Sequence, residues 1–183
     1  MSSLSVLCSL LEARHKQELS LSESFSQAHE LARLPNDGDA AYLLLRKVSQ
    51  DLLMQIESEG SQRAQSNAEP AYHSRQHIAD AVISMGYFLQ GLEFSAYEKQ
   101  LLLLAMLVHD FGHRGIANRL AELTHEEESI ELLKATSFMS LPAEDIVFVQ
   151  QCILGTQSSN VSSITQEHLQ NPLDPFAFKR ALV

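Results

Sequence analysis

The chain has 183 residues, 45% apolar and 20% charged, enough for one compact domain with a core of its own. Lys and Arg number 13 against 23 Asp and Glu, a formal charge of -10. That balance argues against nucleic acid or anionic lipid as a partner of the general surface, and a phosphate substrate would need its positive charge concentrated locally, as a divalent cation does.

Gly and Pro are sparse at 7 and 5, and Trp is absent. This disfavours a turn-rich all-β fold and suits helices joined by short loops. Residues 3–18 and 20–33 carry Leu and Phe at helical spacing, as in Leu4, Leu7, Leu11 and Leu21, Phe25. Pro35-Asn36-Asp37-Gly38 reads as a turn, and Asp39 as the cap of a helix through Tyr42, Leu45, Leu52 and Ile56. Gly60 to Pro70 is rich in Ser, Gln and Asn and reads as a loop. Helices are then expected over Ser74–Leu89 and from Ser95 or Ala96 to His109. The stretch Leu101–Val108 is apolar all round, which places it at the centre of the fold. Further helices are expected at 115–123, 125–138 and 142–155. A loop-like stretch follows over 158–171, and a last helix near Pro175. No useful period-2 segment occurs, so the expected class is all-α. Residues 1–60 alone would bury little, and they read as the first helices of the same domain.

Cys8 and Cys152 make no disulfide framework and no Cys-based zinc site. The N-terminus lacks the basic lead-in of a signal peptide, and the longest apolar run is far short of a membrane span. No membrane association and a cytoplasmic location are therefore expected. Oligomeric state is not legible.

Eight histidines occur, at 15, 29, 73, 77, 109, 113, 125 and 168. His73 and His77 are four apart, as are His109 and His113, so each pair would share a helix face. Asp110 lies inside the second pair, directly after the most apolar segment. Imidazole with carboxylate suits zinc, iron, manganese and similar ions, and a buried His-Asp pair must be partnered or bind a cation. His15, His29 and His168 read as surface residues, Arg14-His15-Lys16 as an uninformative basic run, and Glu126-Glu127-Glu128 as a solvated helix start.

Tyr72-His73-Ser74-Arg75-Gln76-His77-Ile78-Ala79-Asp80 resembles the YHNxxHxxD motif of the cyclic nucleotide phosphodiesterases. His109-Asp110-Phe111-Gly112-His113-Arg114-Gly115-Ile116-Ala117-Asn118 resembles their HDxDHPGxxN motif, and Ile153-Leu154-Gly155-Thr156 their LATD segment. Glu122 and His125 loosely resemble the LENHH segment. The resemblance covers roughly 70–183 and implies an HD-domain-like helical bundle over 61–183, within the wider superfamily of HD metal phosphohydrolases. It further implies that His77, His109 and Asp110 bind a metal, with Asp110 bridging to a second ion. His73 would be the general acid, with His113 and Thr156 near the second ion and its waters. The implied cofactors are two divalent ions among Zn, Mn, Fe and Mg, and the implied substrate is a small phosphate ester or nucleotide. The expected reaction is cleavage of a phosphodiester, with a 3',5'-cyclic nucleotide as one candidate. The alternatives are a nucleotide phosphomonoesterase and a non-catalytic module that binds nucleotide or metal. Ser74, Gly112, Arg114 and Gln157 depart from the family's Asn, Asp, Pro and Asp. The family also completes its first metal site with an Asp in a late helix. Here the sequence reads Phe176-Ala177-Phe178-Lys179-Arg180-Ala181-Leu182-Val183 at that point. The expectation is a natural protein that continues, and a weak or inactive 183-residue form. Asp174, the nearest Asp, reads better as a helix cap before Pro175.

Overall fold

The structure, a computed structural model, describes residues 3–70, 73–113 and 123–157. They form α1 (Ser3–Gln17), α2 (Leu21–Leu31), α3 (Ala40–Gln65), α4 (Arg75–Leu89), α5 (Ala96–Val108), α6 (His125–Leu133), a 3-10 turn (Ser137–Ser140) and α7 (Ala143–Gly155). No strand occurs among the described residues, so the all-α expectation holds. The expected helices at 115–123 and near Pro175, and the loop at 158–171, lie outside the described residues.

Local chemistry sets most helix starts. Ser20 with Glu23, Ser95 with Glu98 and Thr124 with Glu127 each form a reciprocal capping box. Asp39 accepts from the Tyr42 amide, and Ser74 from that of His77. Each such cap stabilises its helix by about 1 kcal/mol. The Ser74 cap fixes the turn that presents His77.

α5 is the central element and packs on α3, α4 and α7. Leu101–Ala105, Leu107 and Val108 are all buried in one cluster with Leu45 and Leu52 of α3, Val82 and Met85 of α4, and Val149 of α7. Phe25 and Ala28 of α2 join the same cluster. No helix among the described residues is long and apolar enough to cross a membrane.

Contact between α2 and α4 is close because residue 86 is glycine. A Cβ there would sit 2.5 Å from the Ala28 carbonyl oxygen and 2.7 Å from its Cα. Backbone cannot swing aside as a side-chain end can. Gly86→Ala is expected to lower unfolding stability by about 1–3 kcal/mol or more, measured by urea denaturation.

Three expectations need correction. First, α3 runs to Gln65, so that only 66–70 of the loop expected at 60–70 is non-helical. Gly60 is buried under the Arg75 side chain, and Arg63 reaches across to the His113 carbonyl at 3.2 Å. Tertiary contacts thus hold helical a stretch whose composition is loop-like. Second, the helix expected over 125–138 stops at Leu133. Thr136 ends it, donating to the Leu133 carbonyl and accepting from the Phe138 amide. Third, Arg14 is only 1% exposed. Its guanidinium bonds Asp80 at 2.6 Å and the Gln76 side chain at 2.7 Å, fastening α1 to the first turns of α4.

The isolated histidines differ from one another. His15 is exposed but lies 3.1 Å from Asp80. His29 is half-buried beside the Tyr42 hydroxyl, contrary to its surface reading. Burial, then the charge of Arg46, pushes His29 down to about 4, against a partial opposing effect of Gln100. An unfolded imidazole titrates near 6.5. Between those values the unfolded chain binds more protons at this position, so the stability from neutral His29 is present above about pH 6.5 and is lost as pH falls toward 4. His29→Gln is expected to flatten the fall in melting temperature between pH 6.5 and 4.5. A parallel fall in the variant and the parent would count against this.

Candidate metal centre

Two helix ends build the centre. The Ser74 cap and first turn of α4 bring His77, with His73 just before the helix. The C-terminal end of α5 brings His109, its cap residue, followed by Asp110 in a turn. Gly112 closes that turn with φ +76, a conformation glycine adopts freely and Asp less readily, and a Cβ there would lie 2.3 Å from Leu132 Cδ1. This is a physical reason for Gly at the position where the phosphodiesterase pattern carries its second Asp.

One carboxylate oxygen is the focus. Asp110 Oδ2 lies 2.7 Å from His73 Nδ1, 3.3 Å from His109 Nε2 and 3.5 Å from His77 Nε2. The two Nε2 atoms of His77 and His109 are 3.4 Å apart. His73, His77 and Asp110 each offer a ligand atom within 4.8 Å of the others, a group that could hold a metal ion. The distances to His109 put it in the same cluster.

The spacings separate two kinds of contact. A tetrahedral ion with bonds of about 2.0–2.2 Å spaces its ligand atoms about 3.3–3.6 Å apart. The three edges of the His77, His109 and Asp110 triangle, 3.4, 3.5 and 3.3 Å, fall in that range. The His73 contact, at 2.7 Å, is too short for such an edge and is a charge-assisted hydrogen bond from Nδ1–H to the carboxylate.

His109 also has its tautomer set. Its Nδ1 lies 2.7 Å from the Met106 carbonyl, which can only accept, so Nδ1 carries the hydrogen. In the neutral ring the Nε2 lone pair then faces Asp110 and His77. A backbone carbonyl on the far nitrogen is the usual support of a metal-binding imidazole.

Without a cation the cluster relies on protons. Burial opposes the ionised form of Asp110, but the bonds and charges of His109 and His73 outweigh it and hold the carboxyl well below its usual range. Burial likewise opposes a charge on His109, yet its bond to Asp110 and the Met106 carbonyl raise it. His77 is lowered by burial and by His109. His113 is pushed down to about 4 by burial and then by His73. The side chains of His109 and Asp110 are 9% and 11% exposed, those of His73 and His77 31% and 26%. The centre is therefore closed on the α5 side and open where His73 and His77 stand.

His113 stacks on His73 with ring centroids 3.7 Å apart, and His125 lies 4.1 Å from His113. His125, matched only loosely in the sequence, thus reaches the cluster at the start of α6. Glu126, Glu127 and Glu128 stand in the first turn of α6, as expected, and are partly exposed. Glu127 caps α6, Glu128 approaches His125 at 3.8 Å, and the charge of Glu126 favours the protonated His109. Thr156 caps α7, its hydroxyl donating to the Ile153 carbonyl at 2.7 Å. Gln157 reaches Thr124 instead, at 2.8 Å. Glu122, Arg114 and everything past Gln157, including Asp174, lie outside the described residues.

Among the described residues, the arginines at this end are engaged. Arg75 bonds Glu57, Ser61 and Glu69, and Arg63 pairs with Glu59 as well as the His113 carbonyl. Asp80 and Gln76, clamped by Arg14, steady the helix that carries His77. Sequence reasoning missed this clamp, since a buried guanidinium 66 residues from its carboxylate leaves no local pattern.

No family model, curated protein or solved structure matches the chain.

Proposed function

We propose that the chain is a divalent-metal-dependent phosphohydrolase of the HD type, acting on a phosphodiester such as a cyclic nucleotide. The observation that carries this reading is the triangle of His77 Nε2, His109 Nε2 and Asp110 Oδ2, with edges of 3.3 to 3.5 Å. Its nitrogen and carboxylate donors suit Zn, Mn or Fe, and Mg less well. Among the described residues three ligands would hold the ion, with positions left for water, substrate or a further ligand, and an open position is the pattern of catalytic rather than structural sites. A bound ion there supplies acidified water near neutral pH and offsets charge on the phosphoryl oxygens.

The protein groups divide the remaining work. His77, His109 and Asp110 hold the ion, and the Met106 carbonyl orients His109. Asp110 accepts from His73 Nδ1–H, and in the doubly protonated ring Nε2–H would be the proton given to the departing oxygen. His113 packs against the His73 ring and limits its rotation. Since the described arginines at this end are engaged, a bound ion would be the main positive charge that the described residues offer the substrate.

The test is a hydrolysis screen of the demetallated chain over cyclic nucleotides, nucleoside monophosphates and model diesters, with Mn, Zn, Fe(II) and Mg. Metal-restored cleavage of a diester supports the reading. Tight metal binding without any turnover supports the non-catalytic module instead.

A further inference from the structure

A second cavity, of about 220 Å3, opens between α2, α3 and α5 and shares no lining residue with the cavity beside His73 and Asp110. Gln100 lies nine residues before His109 on α5, about 14 Å along the helix axis. The cavity is far larger than the roughly 10–15 Å3 that one water needs.

Gln100 is the feature that points to a ligand. It is 1% exposed. Its Nε2 donates to Ser49 Oγ at 3.0 Å, and the Ser49 hydroxyl donates to the Leu45 carbonyl at 2.9 Å. The single hydroxyl hydrogen is committed to Leu45, so the NH2 of Gln100 must face Ser49. That fixes the amide orientation and leaves Oε1 buried with no hydrogen bond of ordinary geometry, its polar neighbour being His29, whose proton affinity it raises. Such an acceptor calls for a donor.

The rest of the lining has complementary chemistry. Arg46 donates to the Asn36 carbonyl and keeps further N–H groups. His29 is neutral at pH 7, so Arg46 is the cation among the lining residues. Glu30 offers a carboxylate at the rim, and Phe25, Leu34 and Leu53 are buried apolar walls.

We propose that this cavity binds a free α-amino acid with an apolar side chain. The carboxylate pairs with Arg46, the ammonium donates to Gln100 Oε1 and faces Glu30, and the side chain lies on Phe25, Leu34 and Leu53.

The test is calorimetric titration of the full chain with L-leucine, L-isoleucine, L-valine, L-methionine and L-phenylalanine. The controls are 4-methylpentanoate, which lacks the ammonium, and isoamylamine, which lacks the carboxylate. At least one amino acid is expected to bind at one site, tenfold or more tighter than either control. Arg46→Gln, near the surface, is expected to weaken that binding at least tenfold while melting temperature and metal content stay unchanged. Gln100→Leu should abolish it, and the Arg46 variant carries the test should that buried change unfold the chain. No binding at 10 mM would overturn the proposal and leave water on Gln100. Equal affinity for amino acids and controls, or unchanged affinity in Arg46→Gln, would overturn it as well.

Discussion

Asp110→Asn is expected to lower metal affinity by at least about 100-fold. Changes to groups that merely support a ligand already cost 10–100-fold, and Asp110 is itself placed as a ligand. The substitution keeps the shape and removes the charge. It also presents a neutral amide to three imidazoles that now converge on one carboxylate oxygen. His109 Nε2, with its hydrogen on Nδ1 toward Met106, would lose the partner that raises its proton affinity. The check is metal content after dialysis, with circular dichroism to establish that the variant remains helical. A folded variant that retains its metal would remove Asp110 from the site.

His73→Gln is expected to reduce turnover by roughly 100-fold or more, the usual scale for losing a general acid, while metal content stays unchanged. The distinction rests on length. His73 stands 2.7 Å from the carboxylate oxygen, a hydrogen-bond distance, whereas His77 and His109 stand at 3.5 and 3.3 Å. The loss should shrink for substrates with good leaving groups, such as p-nitrophenyl diesters, which depart without a proton. Equal losses for good and poor leaving groups would exclude the acid role. Loss of metal in this variant would make His73 a ligand, as its membership of the His73, His77 and Asp110 group allows.

Much of the fold is written in local signals. The apolar run Leu101–Val108 marks the central helix, and seven of its eight residues are buried. Asp39 caps α3 and Ser95 caps α5, as short polar residues before apolar periodicity suggest. The His109-Asp110 pair and the nearby His73 and His77 do meet in one cluster, but neither histidine pair shares a helix face as its spacing suggests, because His73 precedes α4 and His113 follows the end of α5. What composition hides is set by distant partners. Helix α3 continues past Gly60 because that glycine fits under Arg75 and because Arg63 finds a carbonyl 50 residues away. Arg14 reads in sequence as part of an uninformative basic run, yet Asp80 and Gln76 take it into the interior. His29 looked solitary until Tyr42 and Arg46 of the next helix closed over it. The tautomer of His109 depends on a carbonyl three residues back, which every helix has and the end of α5 turns to this use.

The central claim is that two imidazoles and one carboxylate of this chain bind a divalent ion. X-ray absorption at the zinc edge of the zinc-loaded protein tests it most directly. The expected result is one retained zinc per chain, four-coordinate, with two imidazole rings in its shell and bonds of about 2.0–2.2 Å. A shell of oxygen alone, or no zinc retained after dialysis, would contradict the account.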